Sequence, residues 1–532
     1  MTWTTDPATL AAAELAAIAP DLVDSYSAAL PRAVDVVSRR LLGAAARERI
    51  GGYDTLLAGR PARRYGFDRI ELTGPVDTHP ARLLGQLGVD APALADELTD
   101  ACVNLALAFA RRPAWEPLRW DAVDADEQML RFERLATEGH PLHPCGRTRL
   151  GWRVADLLAH DQESAGTRVG FVAVRRDLHI GDDVGALLRE AYPALPAPPR
   201  GYRLHPVHAW QLGAVLPERY ADLFASGAMH LLPGVTLPAQ PTSSLRTVLL
   251  EPDVHAERRY LKLSLDIQVT STRRTISVAS TRNGPALSRL LDRLLAGYDR
   301  VLTLPEVAGA AVALPDGRSR DLSVIVREGL AGRLLPDEVA VPASALFART
   351  GTGTGTVLDR LLARYPAGPL EFLTDYARLL LPPVLHLARY GVGLEAHLQN
   401  SVPTFRAGIP HRIAFRDFAG LRLHLPRLGG RVALWPGSVV GTGDVDVMRA
   451  KIGYTALQAH LGELIRHLVD RYGTVESDAW RQVRVVLDGC PAEPGDHAFL
   501  TAPRVPHKAL VRMRLAGAGD VYVPVHNPLH DP

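Results

Sequence analysis

Five clusters in this sequence hold residue types that can do chemistry together, and most of them suit an anion. The least ordinary is Glu395-Ala396-His397-Leu398-Gln399-Asn400, followed by Arg416-Asp417-Phe418-Ala419-Gly420. On a strand, Glu395, His397 and Gln399 share one face while Ala396 and Leu398 face a core. The run Ile409–Phe415 is long enough to return antiparallel and bring Asp417 alongside. Carboxylates and an amide oxygen in one place are the hard ligands that Mg2+ prefers when it escorts ATP. The plainer alternative is a solvated strand face. If that face is covered, its polar residues are costly unless used or fully hydrogen-bonded.

The second cluster is Thr242-Ser243-Ser244-Leu245-Arg246-Thr247, with Lys262 and Arg273-Arg274 downstream. A hydroxyl-rich turn that ends in Arg and enters a strand supplies donors for phosphate oxygens. Lys262 lies between Leu261 and Leu263, so on a strand its side chain points away from both. Triphosphate chemistry needs several preorganised cations, and removing one such donor costs about 2.7–4 kcal/mol in a transition state. Composition singles out the same residue. Of 60 basic residues only three are lysines, Lys262, Lys451 and Lys508. Where arginine is the rule, a retained lysine points to a need for a slim ammonium. A cleft-lining strand lysine supports no core, so its replacement is expected to spare thermal stability.

The remaining clusters are less specific. His140-Pro141-Leu142-His143-Pro144 leads into Arg147 and Arg149. Two His-Pro pairs suggest zinc, but the prolines prevent a shared helical face and no third ligand follows at a usual spacing. A rigid loop presenting two imidazoles and two guanidiniums suits an anion better; a proline-stiffened turn with solvated arginines remains the alternative. His205-Pro206-Val207-His208-Ala209-Trp210-Gln211 reads as a strand end whose Trp packs in the core and whose histidines cap backbone. Period two places Lys508, Arg512 and Arg514 on one strand face, either a second anion site or an edge strand protected by charge.

These residues must be positioned by an α+β scaffold. Residues 1 to about 130 read as helical, with apolar residues at helical spacing over 21–47 and 92–112. Short β-branched runs then follow at 169–174, Thr247–Leu250, 260–264, 275–278 and 322–326. The Thr-Gly alternation over 350–356 lacks the Gly-Lys-Ser/Thr ending of a phosphate loop and reads as a domain boundary. An apolar helix over 368–389 is expected to kink or break at Pro382-Pro383. Two strands, further helices from 444 to 472 and a terminal strand pair complete the chain. The domains expected are 1–149, 150–349 and 357–532.

At 532 residues the chain needs more than one core. A net charge of +2 gives no bulk attraction to nucleic acid or membrane. The N-terminus lacks the pattern of a secretory signal, and no apolar run is long enough to span a bilayer. Three scattered cysteines form neither a disulfide framework nor a metal motif. A cytoplasmic enzyme is expected.

Taken in order from Gly139 to Leu529, the clusters resemble the NRPS-independent siderophore synthetases, the aerobactin-synthetase (IucA/IucC) family. The matching elements are Gly-His-Pro-x-His-Pro, Pro-Val-His-x-Trp-Gln, Thr-Ser-Ser-Leu-Arg-Thr, Lys-Leu-Ser-Leu, Glu-Ala-His-x-Gln-Asn, Arg-Asp-Phe-x-Gly and Lys-Ala-Leu…Asn-Pro-Leu. The resemblance implies a three-part cupped hand of thumb, fingers and palm, and a homodimer. It implies formation of an acyl-adenylate from a citrate-like polycarboxylic acid, pyrophosphate release, and attack by an amine or alcohol. By the matching motifs, Ser244, Arg246, Thr247, Lys262 and Arg274 hold the ATP phosphates. His397, Asn400 and Asp417 complete the nucleotide and Mg2+ site with Glu395 close by. Arg274 and His397 lie near the reacting carboxylate, and His140, His143, Arg147, Arg149 and Lys508 receive the acid. Lys262, Arg274 and His397 carry the chemistry.

Two departures stand out: Ala209 replaces a proline and Arg147 a lysine. Neither removes a charge, so activity is expected to survive. The rival readings are a kinase-like phosphotransferase, suggested by His397…Asn400 and Asp417-Phe418-x-Gly420, and a nucleotide- or siderophore-binding protein without turnover.

Overall fold

The computed structural model describes residues 6–111, 124–252, 258–270, 272–314, 316–351, 355–517 and 519–532. The middle of the Thr-Gly alternation, 352–354, lies outside them. Helices and antiparallel sheets are mixed, as expected of an α+β chain.

The N-terminal layer is helical because the sequence both starts and faces its helices clearly. Pro7–Ile18, Pro80–Gln86 and Pro92–Ala110 each begin with proline, whose fixed φ and missing N–H suit the first helical turn. Together with the long helix Val23–Glu48 they bury Leu15, Tyr26, Leu41, Leu98 and Leu105 in one core. Leu245, from the middle of the chain, is fully buried in that same core.

The centre is an eight-stranded antiparallel sheet. Its strand order is His179–Gly181, Glu306–Val312, Ser323–Glu328, Arg259–Leu263, Thr247–Leu250, Met229–Pro241, Thr167–Arg175 and Tyr202–His208. The two edges meet: the rings of His179 and His205 lie 6.3 Å apart, so the sheet curls almost into a barrel. Leu261 and Leu263 face a core with Val248, Leu250, Val324 and the helix Val184–Ala191, which leaves Lys262 on the opposite face. A bulge between Glu306 and Ala308 turns Glu306 to the Lys262 side while Ala308 and Ala310 stay in the core.

The C-terminal part is built on the helix Pro369–Arg389. The helix is not broken at Pro382-Pro383 but continues through both. Leu379–Leu381 and Val384–Leu385 are buried on either side, and that burial outweighs the roughly 3 kcal/mol an internal proline costs. Ile409–Phe415 returns antiparallel as expected, but its partner is Ser401–Arg406 and not Glu395–Gln399, and Val301–Thr303 joins it in parallel. A nine-residue π-helix, Gly453–Leu461, interrupts the helices that follow.

Three local expectations are corrected. Residues 275–278 do not form a strand, because Ser277 caps the helix Val278–Leu295 by accepting from the Ser280 N–H. Glu395–Asn400 is not a strand but an extended approach and a turn. Arg512 and Arg514 share no strand with Lys508. Strand Arg504–Lys508 ends there, and Leu510–Ala516 is helical, with its first N–H groups accepted by the Glu48 carboxylate.

Burial leaves several histidines uncharged. His143, His205 and His208 are held down to about 3, and His460 to about 4, in each case chiefly by loss of solvent. The unfolded chain takes up these protons as pH falls below the ordinary value of about 6.5, whereas the folded chain resists them. Stability is therefore fully present above about pH 6.5 and falls toward pH 4, by about 1.4 kcal/mol per pH unit for each such histidine. Denaturant midpoints measured across that range should fall as the pH is lowered. In His205→Leu, whose wild-type ring nitrogens have no partner, the slope should be shallower by one proton. An unchanged slope contradicts the assignment.

Candidate active site

The face of the sheet opposite Leu261 and Leu263 carries the site. Lys262 stands across from Thr247 on one side and Ile325 on the other, and is 4% exposed. Its ammonium donates to Asp417 Oδ1 and lies 3.5 Å from Glu306 Oε1. This corrects the expectation that it lines an open cleft and supports nothing, because its removal strands two carboxylates. Burial alone would raise the Asp417 carboxyl, but Lys262 and then Arg246 outweigh it and hold it far below the usual range. Glu306 is pushed up by burial and by Asp417 despite Lys262, and its Oε2 has no hydrogen-bond partner. Asp417 takes a left-handed backbone, φ 64° and ψ 77°, which aims its carboxylate back at the sheet.

The hydroxyl-rich turn is tied to itself before any ligand arrives. Thr242 Oγ1 donates to the Thr247 carbonyl at 2.7 Å, and Ser244 Oγ accepts from the Thr247 N–H at 3.2 Å. Leu245, at φ 64°, plunges into the N-terminal core and anchors the turn there. Arg246 reaches the carbonyls of Arg274 and Thr275 at 3.3 and 3.1 Å. Arg274 donates to Thr270 Oγ1 at 3.1 Å, and its Nε is unpaired. Burial first, then Arg246 and Arg149, bring the Arg274 guanidinium down to about 9. An arginine so placed, with no carboxylate bonded to it, is a receptor for an anion.

The histidines follow one rule. His140, His143 and His397 each accept at Nδ1 from the N–H two residues on, at Leu142, Cys145 and Gln399, over 3.0 to 3.2 Å. The neutral ring must then carry its proton on Nε2 and present it outward as a donor. All three are held below the usual imidazole range, by burial first and by neighbouring cations after it. His140 lies close enough to His397 and Lys508 to be repelled by both. Lys508 Nζ pairs with Asp520 Oδ1 at 2.7 Å and sits beside Glu395.

Glu395 accepts from Lys451 Nζ at 2.9 Å and occupies space that only Gly420, lacking a Cβ, leaves open. Asn400 donates from Nδ2 to the Glu395 carbonyl at 3.4 Å. Among the described residues no three His, Cys, Asp or Glu side chains converge as a metal cage. Asp417 and Glu395 each offer one oxygen beyond their ammonium partner, and Asn400 an amide oxygen. That set fits Mg2+ only if phosphates and water complete the shell, as is usual for a nucleotide-borne ion.

Two expected anion receptors are otherwise engaged. Arg147 is 1% exposed and bonded to Asp161 and Glu163 at 2.8 and 2.9 Å. Arg149 lies 3.5 Å from Asp161 and donates to the Thr148 carbonyl. With carboxylates beside them they brace the His140 loop instead of facing an open cleft. Sequence reasoning passed over Glu306 and Lys451. Glu306 gave no signal, since its direction depends on the bulge. Lys451 gave one, its rarity.

The model of the IucA / IucC family matches residues 128–348, and a second model, the ferric iron reductase FhuF-like transporter, matches 370–522. D-ornithine–citrate ligase of Staphylococcus aureus is 26% identical over 88% of this chain and 84% of its own. The citryl-spermidine/3,4-dihydroxybenzoyl-citryl-spermidine:spermidine ligase of Bacillus anthracis is 30% identical over 56% of this chain and 52% of its own. Two solved structures share the fold. The petrobactin biosynthesis protein AsbB of Bacillus anthracis superposes with a TM-score of 0.80 at 20% identity, covering 99% of this chain and 98% of its own. ATP-bound aerobactin synthetase IucA of Klebsiella pneumoniae gives 0.75 at 19% identity, over 93% and 99% of the two chains.

Lys262 separates charge from shape. Lys262→Arg keeps the cation but puts a broad fork between Glu306 and Asp417. Turnover should fall by about two orders of magnitude. Lys262→Met leaves both carboxylates buried without a cation and should lower the thermal midpoint as well. Near-wild-type turnover in Lys262→Arg would show that charge alone matters.

Proposed function

Because this chain belongs to the IucA/IucC family, we propose that it is an ATP-dependent ligase that adenylates one carboxylate of citrate or a related polycarboxylic acid. An amine or alcohol then takes the acyl group to give an amide or ester, with AMP and pyrophosphate as co-products. The observation that carries this reading is the gathering of cations and imidazoles around the hydroxyl-rich turn. Lys262 stands beside Thr247 of the turn, Arg246 of the turn reaches the Arg274 carbonyl, Arg274 has its Nε unpaired, and His140 lies near His397 and Lys508. Such a surface takes a polyphosphate at one end and a polycarboxylate at the other. Relatives are named for joining citrate to ornithine and to 2,3-diaminopropanoate, and citryl-spermidine to spermidine, which makes citrate the first acid to test and an amine the first nucleophile.

A carboxylate is a poor electrophile, and adenylation gives it a leaving group. The acid oxygen attacks the α-phosphorus and pyrophosphate departs. Arg246 and Lys262 offset the charge gathered on the phosphates, and Arg274 holds the acid in line. Mg2+, held by Asp417, Glu395 and Asn400, would add Lewis-acid neutralisation of the phosphate oxygens. When the amine attacks the acyl carbon, the His397 Nε2–H would donate a hydrogen bond to the developing oxyanion, AMP leaves, and the proton shed by the amine passes to the departing phosphate or to solvent. The reading also carries a cytoplasmic location, where ATP is abundant, and a homodimer. It is supported by the lack of any described helix long and apolar enough to cross a membrane. A kinase-like transfer is not favoured by the family.

Purified protein given MgATP, citrate and a diamine should release AMP and pyrophosphate in step with amide formation. ADP with inorganic phosphate in its place would overturn the adenylation mechanism. Asp417→Asn keeps the side-chain shape and loses its charge, so the Mg2+ concentration for half-maximal pyrophosphate release should rise more than the KM for citrate. Superimposable Mg2+ titrations would move the metal elsewhere.

A further inference from the structure

The turn that carries Ser244, Arg246 and Thr247 and the segment that carries Asn400 and Asp417 are far apart in sequence. They are joined through one buried carboxylate from a third place. Glu133, on the helix Ala125–Leu135, is 1% exposed. Its Oε2 accepts from the Ser243 N–H at 3.0 Å and from Ser243 Oγ at 2.9 Å. Its Oε1 pairs with Arg416 Nη1 at 2.5 Å. Arg416 Nε donates to the Gln399 carbonyl at 3.0 Å, and Gln399 Nε2 returns to Ser243 Oγ at 3.2 Å. Glu133, Ser243, Gln399 and Arg416 therefore close a ring.

Each ring member outside the helix is the chain neighbour of a residue assigned above to the nucleotide. Ser243 precedes Ser244, Gln399 precedes Asn400, and Arg416 precedes Asp417. The Arg416 N–H also donates to the Asn400 carbonyl at 3.1 Å, so the ring reaches Asn400 and Asp417 together. Both Glu133 oxygens are occupied, so it touches no substrate. A buried ion pair is by itself weak support for stability. This one stands where it fixes the distance between the two loops.

We propose that Glu133 is a positioning residue for nucleotide binding, a latch that holds the 243–247 turn at a set spacing from Asn400 and Asp417. The inference rests on the ATP-dependent reading above and goes beyond it by assigning preorganisation to a residue outside the cleft. Its corollary is that the helix Ala125–Leu135 belongs to the nucleotide site as well as to the fold.

The test uses the full chain and measures MgATP affinity by calorimetry, the KM for citrate and the thermal midpoint. Variants are Glu133→Gln, Ser243→Ala and the double variant. Glu133→Gln should weaken MgATP by about ten-fold and change the KM for citrate by less than about two-fold. Ser243→Ala removes the hydroxyl contacts and no buried charge, and should weaken MgATP by roughly three-fold. The double variant should be no worse than Glu133→Gln alone, because a ring already open has nothing left to lose. Additive losses, or equal losses for both substrates that track a drop in thermal midpoint, overturn the latch in favour of a purely structural role. Should Glu133→Gln fail to fold, unchanged MgATP affinity in Ser243→Ala overturns it. Wild-type protein that binds no MgATP would sink the proposed function instead, which the wild-type control reads separately.

Discussion

An ammonium buried between two carboxylates is the constraint on which the site depends. Lys262 comes from the central sheet, Glu306 from a bulged strand two places along it, and Asp417 from a loop in the C-terminal part. Lys262 and Glu306 are buried and Asp417 is partly exposed, so the ammonium is tolerable out of water only because the carboxylates are there. The strand register, the bulge at Glu306 and the left-handed backbone at Asp417 are therefore consequences of one electrostatic requirement. A shift of any one element by a residue would leave a charge alone in a dry interior.

The rest of the cleft has the opposite problem, an excess of cations before substrates arrive. Imidazoles ease it. Held neutral by burial and bonded at Nδ1 to backbone N–H groups, His140, His143 and His397 supply donors without adding charge. Arg147 and Arg149 are quieted by Asp161 and Glu163, whereas Arg274 and Arg327 each keep an unpaired Nε. Preorganisation of this kind keeps the free protein stable and reserves the strongest attraction for an anion that brings its own charge.

Much of this was legible in the sequence. The strand face of Lys262 followed from the apolar residues on either side, and the antiparallel return of Ile409–Phe415 from its length, though its partner did not. What was not legible depended on tertiary choices that one-dimensional patterns do not encode. Glu395 and His397 alternate as a strand would, but the Gln399 and Asn400 N–H groups turn back to the His397 ring and the strand never forms. Pro382-Pro383 reads as a break, and burial on both flanks overrides it. Arg147 reads as an anion receptor because its counter-charges, Asp161 and Glu163, lie beyond the motif.

The scarcity of lysine acquires a structural meaning at this point. All three lysines lie at or beside the cleft, and each bonds a carboxylate: Lys262 with Asp417, Lys451 with Glu395, Lys508 with Asp520. Elsewhere arginine serves, often forking across two acids, as Arg449 does on Asp446 and Asp496 and Arg258 does on Asp124 and Glu127. A guanidinium beside Glu395 or Asp417 would engage both carboxylate oxygens with its planar fork. An ammonium is a point charge that takes one oxygen and leaves the other open. An ammonium partner therefore keeps Glu395 and Asp417 ionised while leaving each an oxygen that a guanidinium fork would claim, and in a chain otherwise written in arginine the lysines stand out as exceptions.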